Sequence, residues 1–199
     1  MKKFAHGISL AAALAVVAAI GAITAPAATA QPPAPVAALQ LPRYLGTWHQ
    51  LAAVPAYFNL VCARDTQAHY ALDPHGNISV RNRCTTWSNT PNTITGTATV
   101  NDATTHAQLH VSFPGVPTQE QLHGPTNYVV VGLATDYSWA VVTDPYRVSG
   151  FVLSRTPALT TGQWQRVRAA ITGAGLSTCV FLTSPTTGGI DVIRPVCSG

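Results

Sequence analysis

The residues able to do chemistry are few. Cys62, Cys84, Cys179 and Cys197 are the whole thiol complement of the 199-residue chain. An even set in an exported chain reads as two disulfides. Spacing leaves three pairings open. Cys62 and Cys84 lie on opposite sides of a turn near His75, so they can meet across one hairpin, which leaves Cys179 and Cys197 to tie the tail to the last strand. No C-x-x-C and no close Cys/His cluster offers a metal its ligands. His106 and His110 are four apart, which brings side chains together on a helix. On a strand that spacing is about 13 Å, too far for one ion; both read as solvated surface histidines. No G-x-S-x-G nucleophile turn occurs. Asp136 and Asp144 flank a hairpin without a shared reacting centre. Asn77-Ile78-Ser79 is a formal glycosylation sequon at a turn edge. The pattern supports no catalytic residue, no metal and no cofactor.

The first thirty residues read as an export signal. Lys2 and Lys3 begin it, an apolar run extends from Ile8 to Ile23, and Ala28-Thr29-Ala30 is a small-x-small cleavage pattern. The run is near the lower limit of a spanning helix, but the small-residue site and the Pro-rich sequel favour cleavage after Ala30. Removing thirty residues from 199 leaves 169, about one domain with room for a real core. Both lysines leave with the signal, and nine arginines then face six aspartates and one glutamate. So small an excess, with no block of like charge, gives no support for nucleic-acid binding. Residues 31–41 are rich in Pro and Ala and read as a flexible arm. Residues 42–199 form the folded domain.

That domain reads as all-β. Short segments rich in Val, Thr, Ile and aromatic residues alternate with turn residues. Strands are expected at 48–54, 66–72, 77–84, 93–100, 107–113, 127–133, 138–143 and 150–154. Asp73-Pro74-His75-Gly76 supplies the turn between the second and third. Trp164, Val167 and Ile171 fall on one face of a single late helix, which Gly173 and Gly175 can stop. A last short strand is expected at 178–183. Eight strands in hairpin order favour a closed antiparallel barrel, which has no exposed edges and an interior wide enough for one small ligand. The helix would pack its apolar stripe on the outside.

Three motifs then become specific together: Gly46-Thr47-Trp48 opening the first strand, Thr135-Asp136-Tyr137 between two later strands, and Leu153-Ser154-Arg155-Thr156-Pro157 before the helix. This set resembles the lipocalin family, and most closely the branch of apolipoprotein D and the bacterial lipocalins. The resemblance implies an up-and-down calyx, closed at one end. Trp48 would sit at that end with Arg155 across it, a guanidinium-on-indole contact worth roughly 0.5–2 kcal/mol. Thr135, Asp136 and Tyr137 would fix the turn there, and all these roles are structural. His49 stands where the family often has Tyr, and alternation points it away from Trp48's side. In relatives such as apolipoprotein D the early Cys pairs with the tail, which would give Cys62–Cys197 and Cys84–Cys179; the two local pairings are preferred here.

The inward rows supply a candidate cavity wall: Gln50 and Ala52 from the first strand, Tyr70, Ile78, Val80 and Asn82 from the middle hairpin, and Ala98, Val111, Phe113, Tyr128, Val130 and Phe151 from the later strands. They make an apolar surface with a few polar handles, the usual make-up of a small-molecule pocket. A register error of one residue would move whole rows to the other face. The resemblance implies a carrier or scavenger of a fatty acid, lysolipid or similar hydrophobic molecule, secreted or held in the cell envelope, monomeric, without enzymatic activity. The absence of a lipobox Cys speaks against a lipid anchor, leaving peripheral envelope association. The alternatives are an envelope interaction module with a filled barrel, and a lipid isomerase that would need a free thiol in the calyx.

Overall fold

A computed structural model describes residues 31–198; the expected signal peptide and its cleavage site lie outside the described residues. Eight strands follow in order: β1 (Gly46–Ala53), β2 (Cys62–Leu72), β3 (Ile78–Thr86), β4 (Pro91–Val100), β5 (Gln108–Ser112), β6 (Tyr128–Leu133), β7 (Trp139–Thr143) and β8 (Gly150–Ser154). Each is antiparallel to the next from β1 to β8, and β8 pairs with β1, closing the sheet into an up-and-down barrel. These spans lie within a few residues of the expected ones.

Burial along each strand follows what covers it. On β3, Ile78 and Val80 are buried while Arg81 and Arg83 are exposed, the alternation of a wall with one dry face. On β7, Trp-Ala-Val-Val-Thr is buried throughout, because α2 (Thr161–Gly173) covers its outer side. Thr160 caps α2: its Oγ1 accepts from Gln163 N at 3.3 Å, and Gln163 Oε1 accepts from Thr160 N at 2.9 Å, a reciprocal capping box. Val167 and Ile171 are fully buried against the outer face of the barrel. Gly132 allows that approach, since a Cβ there would lie 2.6 Å from Ala170 Cβ. The helix ends where Gly175 takes φ +78°, with Gly175 N donating to Thr172 O and Leu176 N to Ile171 O, a Schellman-type stop.

Two apolar clusters therefore lie on opposite sides of one wall. The inner one includes Trp48, Tyr70, Val80, Leu109 and Leu153. The outer one joins Leu51, Trp139, Val152, Val167, Ile171 and Phe181.

The disulfides are Cys62–Cys84 and Cys179–Cys197, closing intervals of 22 and 18 residues. The local pairing is thus the one formed, and the pairing implied by apolipoprotein D is not. Two expectations need correction. The tail strand is only β9 (Leu182–Thr183), paired with Ala52 and Ala53 of β1. Thr178–Val180 is a 3-10 turn, begun by Ser177, whose Oγ accepts from Cys179 N at 3.2 Å, a local bond that competes with a ladder. The Pro/Ala-rich segment is also not free throughout. Val36 N donates to Val130 O at 2.8 Å and Leu39 N to Thr105 O at 2.7 Å. Leu39 is 2% exposed, and the segment runs into α1 (Leu41–Tyr44). Its three larger apolar side chains, Val36, Leu39 and Leu41, pack on the inner cluster.

Candidate functional site

The closed end is a braced floor. Trp48 is fully buried and its Nε1 donates to Tyr44 O at 2.8 Å. The Arg155 guanidinium carbon stands 3.7 Å from the Trp48 ring centroid. Arg155 Nη1 donates to Thr47 O at 2.8 Å, and Nη2 donates to Arg43 O at 2.7 Å and Leu45 O at 2.8 Å. Gly46 has φ +93°, and a Cβ there would stand 3.4 Å from Arg155 Nη1. At the same end Asp136 Oδ1 accepts from Ser138 N at 3.0 Å and from Ser138 Oγ at 2.7 Å; the Ser138 bonds hold its carboxyl below the usual range. The Tyr137 hydroxyl accepts from Gln40 N at 2.9 Å, and its ring lies 4.1 Å under Arg43, whose Nη2 donates to Thr135 O at 3.2 Å. Every one of these groups is committed to the chain itself.

Above the floor the barrel encloses a cavity of about 780 Å³, within the usual range for a small-molecule site. Of the sequence-derived wall residues, the structure brings together Gln50 of β1, Tyr70 of β2, Ile78, Val80 and Asn82 of β3, and Ala98 of β4. Val111 of β5, Phe113 just beyond it, Tyr128 of β6 and Phe151 of β8 complete the set. Ala52 and Val130 do not belong to it. The ladder between β1 and β8 shifts register between Gln50 and Ala52, so Ala52 turns outward and is buried in the cluster under α2. A bulge reverses facing in this way and alternation cannot show it. Val130 faces inward but is fully buried in the inner cluster, with its carbonyl taken by Val36.

Alternation also left out Tyr44, Ala68, Leu109 and Leu153, which line the cavity. Ala68 and Leu153 share inward rows with Tyr70 and Phe151, so the pattern contained them. Tyr44 precedes the strand and had no such signal.

The polar atoms of the lining are sparse. The Tyr44 and Tyr128 hydroxyls are 2.7 Å apart, and those of Tyr70 and Tyr128 are 3.3 Å apart. Burial pushes the Tyr70 phenol up to about 12 and raises Tyr44 and Tyr128 well above their ordinary value. Gln50 Nε2 donates to Ser184 Oγ at 2.9 Å. Asn82 Oδ1 is buried without a hydrogen-bond partner among the described residues.

The mouth is built from turns. Asp144 accepts from Tyr146 N at 2.7 Å and from Ser149 N and Oγ at 2.5 and 2.7 Å. Asn127 completes the short β5–β6 ladder with its side chain: Oδ1 accepts from Val111 N at 2.7 Å and Nδ2 donates to Val111 O at 2.8 Å. His110 is corrected here. It is 4% exposed, not solvated, with ring nitrogens 2.7 and 2.9 Å from the carbonyl oxygens of Pro125 and Gln121. The loop after β5 folds over it, which sequence spacing could not show. His49 is half-buried, with Nδ1 3.4 Å from Gln67 Nε2. Around the opening stand exposed apolar side chains, among them Tyr57, Leu60, Trp87, Tyr146 and Val148; Trp87 Nε1 donates to Leu60 O at 2.8 Å. No cluster of three metal-ligating side chains occurs among the described residues.

Comparison with known proteins gives a consistent result. Residues 39–186 match the family described as lipocalin-like domain. The chain is 35% identical over 123 residues to temperature-induced lipocalin-1 of Arabidopsis thaliana, covering 61% of this chain and 65% of that one. It is 31% identical over 145 residues to outer membrane lipoprotein Blc of Escherichia coli K12, covering 70% and 75%. It is 31% identical over 121 residues to apolipoprotein D of Bos taurus, covering 59% and 61%. The match thus spans less than two thirds of the plant and bovine relatives. Among solved structures, insecticyanin from the tobacco hornworm Manduca sexta shares the fold at TM-score 0.58 and 18% identity, covering 81% of this chain and 92% of that one. The cockroach allergen Per a 4 does so at 0.56 and 20%, covering 74% and 88%.

Proposed function

The chain belongs to the lipocalin family, in the branch of apolipoprotein D and the bacterial lipocalins, and from that premise we propose that it carries or scavenges a small hydrophobic ligand of the fatty acid or lysolipid class outside the cytoplasm. The observation that carries the reading is the cavity of about 780 Å³, walled by inward apolar rows and open at one end of the barrel. Each buried methylene contributes about 0.8 kcal/mol. An alkyl chain of ten or so carries roughly 8 kcal/mol gross, from which the cost of association is subtracted; this is compatible with micromolar binding. Candidate contacts are Gln50, Tyr70, Ile78, Val80, Asn82, Ala98, Val111, Phe113, Tyr128 and Phe151, joined by Tyr44, Ala68, Leu109 and Leu153.

The ligand partitions reversibly and is not transformed. All four cysteines are in disulfides, so an isomerase that needs a thiol has no nucleophile. The open cavity likewise disfavours an interaction module with a filled barrel. Two disulfides fit an oxidising compartment, as does an export signal in residues 1–30 that leaves a domain over 42–199. The exposed apolar rim supports peripheral contact with the envelope, with the protein acting as a monomer. The test is mass spectrometry of protein from its native host, intact and after solvent extraction, with titration of an apolar fluorophore. A retained lipid and saturable fluorophore binding are expected; protein that holds no lipid and binds no fluorophore refutes the carrier role.

A further inference from the structure

The three phenols at the inner end of the cavity leave one proton unspent. Tyr128 Oη meets Tyr44 Oη at 2.7 Å and Tyr70 Oη at 3.3 Å. Each contact uses one hydroxyl proton, and three hydroxyls carry three. Whichever way the two bonds run, one O–H remains. No other side chain or carbonyl among the described residues accepts from these oxygens. Tyr44 and Tyr70 are 4% and 8% exposed, and all three rings line the cavity. A buried donor left unmatched is costly, so whatever fills this end is selected for an acceptor. On β3 the converse holds: Asn82 Oδ1 is an acceptor without a donor. Asn82 stands two residues beyond Val80, the cross-strand partner of Tyr70, and so is a diagonal neighbour of Tyr70 on the same face.

We propose that Tyr44, Tyr70 and Tyr128 form a subsite for a neutral oxygen group, so that the ligand enters polar end first and, between the fatty acid and lysolipid alternatives, the neutral-headed one is selected: an apolar molecule ending in a protonated carboxyl, or likewise in an alcohol or a carbonyl. Such a group accepts the spare phenol proton, and where it carries its own O–H it can supply the donor that Asn82 lacks. Ionised and zwitterionic heads are disfavoured there because the one cation that acts on these phenols among the described residues, Arg155 on Tyr44 and Tyr70, is engaged elsewhere. Its Nη atoms bond Thr47, Arg43 and Leu45 carbonyls and its plane stacks under Trp48, off the cavity wall. No carboxylate or imidazole acts on the triad; Asp144 and Arg83 line the cavity elsewhere. The phenols themselves report the balance. Burial, their largest influence, raises all three in spite of the attraction of Arg155 for Tyr44 and Tyr70, so a negative charge is unwelcome at this depth.

The inference rests on the carrier reading, and the test separates the two. Decan-1-ol, decanoic acid and decylphosphocholine share one chain length and differ in the head. Each would be titrated by displacement of an apolar fluorophore at pH 6, 7 and 8 into the wild type, the triple variant Tyr44→Phe/Tyr70→Phe/Tyr128→Phe, and Tyr70→Phe. The alcohol is expected to bind independently of pH. The acid should weaken about tenfold per unit, because only its neutral form is accepted and it ionises well below pH 6. The triple variant, which carries no phenol proton, should cost the alcohol about tenfold and leave decylphosphocholine unchanged; Tyr70→Phe, in which Tyr44 and Tyr128 share one bond and still leave one proton unspent, should keep the alcohol. Acid affinity that is flat across this range, or alcohol affinity unmoved in the triple variant, overturns the subsite while leaving the carrier intact. Binding of none of the three probes overturns both.

Discussion

Replacing Arg155 by Ala tests how the closed end is held. Three N–H donations and one stacked contact vanish together. Two of the hydrogen bonds, to Thr47 and Arg43 carbonyls, are at exposed positions, where water can take over as donor; each is assigned about 0.5 kcal/mol. The bond to Leu45 O is partly buried and contributes about 1.5 kcal/mol. The guanidinium at 3.7 Å from the Trp48 centroid adds about 1 kcal/mol. The expected loss is about 3.5 kcal/mol, which for a domain of this size lowers Tm by about 10 °C. Lys at the same position keeps a cation near the indole, but its point-like ammonium cannot reach three carbonyls while lying flat on the ring; it should recover about a third of the loss. Urea unfolding followed by tryptophan fluorescence measures both variants, with an unchanged slope as the check that a two-state comparison holds. A loss below about 1 kcal/mol for Arg155→Ala, or full recovery by Lys, would show that the floor does not depend on this residue.

Gly132→Val should destabilise by about 1–3 kcal/mol, because a Cβ meets Ala170 Cβ at 2.6 Å; thermal unfolding would record it, and a neutral result would show that α2 can shift off the wall. Removing either disulfide as a Ser pair should cost about 2–4 kcal/mol, and peptide mapping of the unreduced protein should recover Cys62 with Cys84 and Cys179 with Cys197. Leu39→Ala should cost about 2–5 kcal/mol, as expected of a side chain 2% exposed; a change under 1 kcal/mol would return the segment to the status of a loose arm. Burial holds His49 below its ordinary 6.5, so the unfolded chain binds the proton first. Stability should therefore fall as pH drops from about 6.5 through the folded value, and His49→Gln should flatten that part of the pH profile.

The sequence was most readable where one side of a strand is dry and the other wet. Ile78, Val80 and Arg81 announce β3 by alternation alone, and Asp73-Pro74-His75-Gly76 marks its turn. The helix was readable from Trp164, Val167 and Ile171, because a stripe at that spacing has one structural meaning. Ala52 was misplaced because the bulge after Gln50 is settled by cross-strand pairing, to which local pattern is blind. His110 was misread because its partners, the Gln121 and Pro125 carbonyls, come from a loop that no periodicity describes. The anchoring of Leu39 escaped because a Pro/Ala-rich composition averages over the few side chains that dock. The tyrosine cluster draws on three separate elements, and no one-dimensional spacing relates Tyr44, Tyr70 and Tyr128.

The two apolar clusters share nothing but a wall one residue thick, and this makes the molecule divisible for engineering. Val141 and Val152 look toward the helix, while Val142 and Leu153, their immediate neighbours in sequence, look toward the hollow. Odd positions can be rewritten for durability and even ones for cargo on this stretch of β7, with the parity reversed on β8. A library confined to one side leaves the opposite side untouched, so shelf life and selectivity become separate dials.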